Sequence, residues 1–119
     1  MDKEMDPKDI EVVIELDILS GQQNPTWRLP HDQVGVLEEK LKNLPKSIVL
    51  LVECSGYRGF VIKPQNGLRR FADKIRVYRS LLIMENEGTR TGYVDAHDIE
   101  AWLKEQARER GYPNIEGLY

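Results

Sequence analysis

The sequence predicts an α+β domain, a mostly antiparallel sheet of about three to five strands with two helices packed on one face. Three observations carry that expectation. Ile10, Val12, Ile14, Leu16 and Ile18 alternate with Glu11, Glu15 and Asp17, a period of two that marks a strand with one buried and one wet side. Val34, Leu37, Leu41 and Leu44 recur at spacings of three and four, the stripe of an amphipathic helix. A second such stripe, with Ile99, Trp102 and Leu103, follows after three further strand-like stretches.

Taken in order, the charged stretch 1–9 reads as a flexible tail without the apolar centre of a signal peptide, and 10–119 as one domain. After the first strand, Ser20 to Pro30 reads as a loop, because Ser-Gly and Asn-Pro are turn formers. Pro30 and Asp32 open the first helix, Glu38 and Lys42 stand four apart on its wet side, and Asn43-Leu44-Pro45 ends it. The apolar run Ile48 to Val52 reads as a central strand buried on both faces. Tyr57 to Ile62 reads as the next strand, broken by Gly59, and Pro64 to Gly67 as a turn. Ile75 to Met84 reads as a third long strand, closed by Glu85 to Gly88, and Tyr93-Val94 as a short extra one. Asp95 is the expected N-cap of a helix from Ala96 to about Arg110, with Gly111 as its terminator.

The totals exclude several classes of function. A chain of 119 residues with 40% hydrophobic and 31% charged residues fits one folded domain, and no apolar run nears the ~20 residues of a membrane span. Seventeen basic against 20 acidic residues, a net charge of -3, argue against nucleic acid as a partner. The single cysteine, Cys54, fits a cytoplasmic location and reads as a small core residue. His31 and His97 lack a second ligand at metal-binding spacing, and there is no multi-glycine phosphate loop or cysteine cluster. No metal, cofactor or catalytic group is therefore expected. Glu11, Glu15 and Asp17 read as acids that keep the wet side of the first strand soluble, and Glu53 as an ion-pair partner of Arg58 or Arg79.

Two stretches stand out as candidate binding elements. Ser20, Gly21, Asn24, Pro25 and Trp27 read either as a packed loop whose Trp27 covers the first helix or as a polar surface rim with an aromatic plate, in which Gln22, Gln23 and Asn24 offer amides that suit peptide backbone. Tyr57, Arg58 and Phe60 surround Gly59 in a pattern that suits either a bulged strand edge or an interface. Ser20-Gly21-x-x-Asn24-Pro25-x-Trp27 after an alternating strand, followed by Gly56-Tyr57-Arg58-Gly59-Phe60, resembles the small accessory partners of radical S-adenosylmethionine peptide spliceases. Such spliceases excise a tyramine-equivalent unit from a ribosomally made precursor and leave an α-keto-β-amino acid. The resemblance implies a non-catalytic protein that docks the splicease, the precursor peptide or both, through these residues and by strand addition at a sheet edge. The rival reading is a small-molecule-binding protein or cofactor-free enzyme with a pocket around Glu53, Arg58 and Tyr78. A homodimer that pairs its own edges is a further possibility.

Overall fold

The structure, a computed structural model, describes residues 11–19, 24–49, 56–64 and 72–111, with the backbone alone for Leu19, Gly56 and Tyr57. In chain order it contains β1 (Val12–Leu19), β2 (Thr26–Arg28), α1 (His31–Lys40), β3 (Lys46–Ser47) and β4 (Gly56–Pro64). There follow β5 (Lys74–Tyr78), β6 (Leu81–Asn86), β7 (Thr89–Val94) and α2 (Ile99–Glu109). The fold is α+β, and all seven strands form one sheet in the order β2-β1-β4-β5-β6-β7-β3. Every pairing is antiparallel.

The alternation of β1 does what its period implies. Val12, Ile14 and Leu16 join Phe60 and Ile62 of β4, Ile75 and Val77 of β5, and Leu82 of β6 in one buried cluster. Both helices contribute to it, α1 through Val34 and Leu37 and α2 through Ile99, Leu103 and Ala107. Burial of these side chains stabilises the domain at roughly 25 cal/mol per Å² of apolar surface removed from water.

Seven strands stand where three to five were expected, for local reasons. Ile75 to Met84 is a tight hairpin, with Tyr78 opposite Leu81 and the two turn residues Arg79 and Ser80 at φ 51° and 66°. Two-residue hairpins need such left-handed conformations, usually signalled by Asn or Gly, and neither is present here. The next turn does carry the signal: Glu87 and Gly88, at φ 50° and 84°, join β6 to β7, which extends the expected Tyr93-Val94 pair to six residues. The segment read as a loop also holds a strand, β2, whose Trp27 lies opposite Ile14.

The largest departure concerns Ile48 to Val52. The nearby strand is β3, Lys46–Ser47, which ends before the run begins and lies at the end of the sheet. Ile48 and Val49 follow it outside any strand, and Ile48 is 70% exposed. A short apolar run carries no periodicity that fixes its structure, so composition alone does not make it a buried strand. The rest of that run, the 1–9 tail and Pro113 lie outside the described residues.

Helix ends follow the expected chemistry with a shift in register. Asp95 does cap α2, its carboxylate accepting from the Ile99 and Glu100 N–H groups at 2.7 and 2.9 Å, but the helix begins at Ile99. Asp98 is the residue immediately before it, held at φ 55°. Gly111, at φ 78°, follows the last turn as a helix terminator should. Just past the end of α1, Lys42 pairs with Glu39 at 3.1 Å.

Candidate functional site

The wet side of β1 is not a plain solubilising face. Asp17 is 3% exposed and takes Arg76 at 2.7 Å and Arg58 at 3.1 Å. Glu15, its neighbour on the same face, pairs with Lys63 of β4 and accepts from Asn24 Nδ2 at 2.7 Å. The same Asn24 uses its Oδ1 to accept the Ile18 N–H at 3.0 Å, which ties the start of β2 to the end of β1. Burial pushes the Glu15 carboxyl up, but hydrogen bonds from Lys63 and Asn24 and the Lys63 charge outweigh it, leaving it below its ordinary value.

A β-bulge assembles this cluster. Leu16 lies opposite Phe60 but Ile18 lies opposite Tyr57, so Asp17 alone faces Arg58 and Gly59. Simple alternation would send Arg58 to the face of Phe60 and Ile62. The extra residue turns it to the Asp17 side instead. Gly59 makes this possible: it stands at φ 87°, and a Cβ there would collide with the Val77 carbonyl oxygen. The Nε of Arg58 is buried and meets no acceptor among the described residues.

The residues expected as binding contacts are divided between the two faces. Asn24 and Arg58 converge on Asp17. Trp27 (8% exposed) and Phe60 (0%) lie in the core, ring centroids 6.2 Å apart and nearly perpendicular. They are packing residues in this fold and form no part of an exposed aromatic plate. Pro25 donates no N–H, and its carbonyl accepts from Leu16 N–H at 2.9 Å, extending the β1–β2 ladder. Ser20 and Gly21 lie outside the described residues, as do Gln22, Gln23, Glu53, Cys54 and the Tyr57 side chain. Arg58 pairs with Asp17, and the expected pairing of Glu53 with Arg58 or Arg79 lies outside the described residues. Tyr78, placed with Arg58 in the rival pocket, is buried with the Arg79 guanidinium 5.1 Å from its ring.

Two features escape sequence reasoning. His97 donates from Nδ1 to the Lys40 carbonyl at 2.8 Å while Lys40 Nζ donates to the His97 carbonyl at 3.1 Å, a reciprocal clasp between the end of α1 and the turn before α2. Gln106, on the inner side of α2, accepts the Trp27 indole N–H at 3.1 Å. Neither pairing has a local sequence signal, since the partners are 57 and 79 residues apart.

Among the described residues no three His, Cys, Asp or Glu side chains gather as metal ligands, and no helix is long and apolar enough to cross a membrane. No protein-family model, curated protein or solved structure matches the chain.

Proposed function

We propose that this protein is a non-catalytic accessory module of the cytoplasm that holds an extended peptide segment by adding it to the sheet. Following the resemblance of the Ser20 to Trp27 and Gly56 to Phe60 stretches, the segment is that of a precursor peptide presented to a radical S-adenosylmethionine splicease. The observation that supports this reading is the β3 edge. Among the described residues β3 is the terminal strand, pairs with β7 through Lys46–Tyr93 and Ser47–Gly92, and leads into the exposed side chains of Ile48 and Val49. An edge of this kind offers backbone hydrogen bonds for affinity and apolar side chains for register.

The test is titration of the precursor peptide into the wild-type protein and the double variant Ile48→Lys/Val49→Lys, followed by calorimetry. Loss of about tenfold or more in affinity is expected, because two apolar contacts are exchanged for charges. Binding unchanged by the double variant, or a protein that only self-associates through this edge, overturns the reading.

A further inference from the structure

A groove of about 420 Å³ separates the start of α1 from the last turns of α2. Pro30 and Asp32 form one wall, and Trp102, Gln106, Glu109 and Arg110 the other. Its volume falls within the range of small-molecule sites.

Gln106 gives this groove a definite polarity. The residue is 6% exposed, on the side of α2 that otherwise buries Ile99, Leu103 and Ala107. An indole N–H only donates, so the Gln106 oxygen must face Trp27 and the amide NH2 must point away from it. That buried Nε2 has no acceptor among the described residues. A buried donor left unpaired costs stability, which makes a ligand acceptor a physical reason for keeping one. One further feature favours negative charge in the groove: Arg110, which lines it, has its guanidinium 5.3 Å from the Trp27 ring.

The carboxylates of the groove are unequal. Glu105 is held by Arg108 at 2.5 Å, and Asp32 accepts from Gln33 Nε2 at 3.3 Å. Glu109 lines the groove one residue from Arg110 and supplies negative charge beside that positive charge. Trp102, half-buried, adds an apolar wall. We infer that the groove binds a small zwitterion, a free α-amino acid or a dipeptide. Its carboxylate meets Gln106 Nε2 and Arg110, its ammonium group meets Glu109, and its side chain lies on Trp102. The site is on the helical layer and is independent of the peptide edge at β3.

The two tryptophans of the chain, Trp27 and Trp102, both belong to this region, so intrinsic fluorescence reports directly on it. The probes are L-leucine and glycyl-L-leucine, with L-leucinamide as the control lacking a carboxylate. A saturable fluorescence change is expected with one or both zwitterions, with leucinamide weaker by about tenfold or more, the value of a charge-assisted hydrogen bond. Gln106→Glu retains an oxygen for Trp27 but sets a second acceptor where the donor stood, and binding should fall by at least a similar factor. Arg110→Gln, on an exposed position, tests the same carboxylate contact should the Gln106 variant fail to fold. Absence of a saturable change with both zwitterions, equal affinity for leucinamide, or wild-type binding by the folded variants overturns the assignment.

Discussion

At one end of the sheet β2 lies against β1 with Trp27 driven into the core, whereas at the other end β3 runs into Ile48 and Val49, which face outward. The first edge is closed at each step along β1. Leu29 N–H donates to the Val12 carbonyl at 2.8 Å, Leu16 N–H to the Pro25 carbonyl, and Ile18 N–H to the Asn24 side chain. Arg28 adds a charge at its rim, paired with Glu11 at 2.5 Å. The second edge is joined to β7 closely enough that a Cβ on Gly92 would meet the Ile48 carbonyl oxygen at 2.5 Å. Its apolar side chains nevertheless stay exposed. The two edges show that an edge is closed by side chains as much as by strands: an aromatic anchor and an amide substitute for the length β2 lacks.

The sharpest way to break this contrast is Trp27→Ala. It removes the anchor and leaves Gln106 Oε1 without its donor, and a loss of about 3–5 kcal/mol is expected in urea unfolding. A loss near zero would mean that β2 is not a structural closure. Asn24→Ala should cost about 1–2 kcal/mol, because the Ile18 N–H and the Glu15 carboxylate both lose a partner. Hydrogen exchange at Ile18 should accelerate with it, while amides of β6 stay protected.

Acid sharpens the comparison further. The folded-state pKa of Glu15 is depressed, so its contribution to stability is complete above its ordinary value of 4.5 and is lost as pH falls through the lower folded value. Lys63→Met should flatten that part of the pH–stability curve. An unchanged curve would show that the pair with Lys63 does not set the shift. The smallest effect on stability belongs to the open edge, where Ile48→Lys should change unfolding by less than about 0.5 kcal/mol. A larger cost would place Ile48 inside the fold and remove the basis for peptide addition there.

The sequence conveyed the parts of the fold that depend on neighbours in the chain. The β1 alternation, the α1 stripe, the Asp95 cap and the Gly111 terminator are legible because their partners lie within a few residues. The hairpin at Arg79-Ser80 was not legible, since its left-handed turn uses residues that do not advertise one. The candidate site was half legible. Asn24 and Arg58 could be singled out from their surroundings, but not their common partner Asp17, which looked like one more solvent-facing acid.

What the sequence determined by itself is thus an α+β chain with a strongly alternating first strand and two amphipathic helices. Only the tertiary structure decided which apolar segments are inside. Ile48 and Trp27 illustrate this in opposite senses, an aliphatic residue left exposed beside an edge strand and a loop aromatic carried into the core. Burial depends on what other elements cover, and the bulge at Gly59 reverses the face of Arg58 through a backbone angle that composition does not encode. Periodicity reports a face, and only packing reports what that face meets.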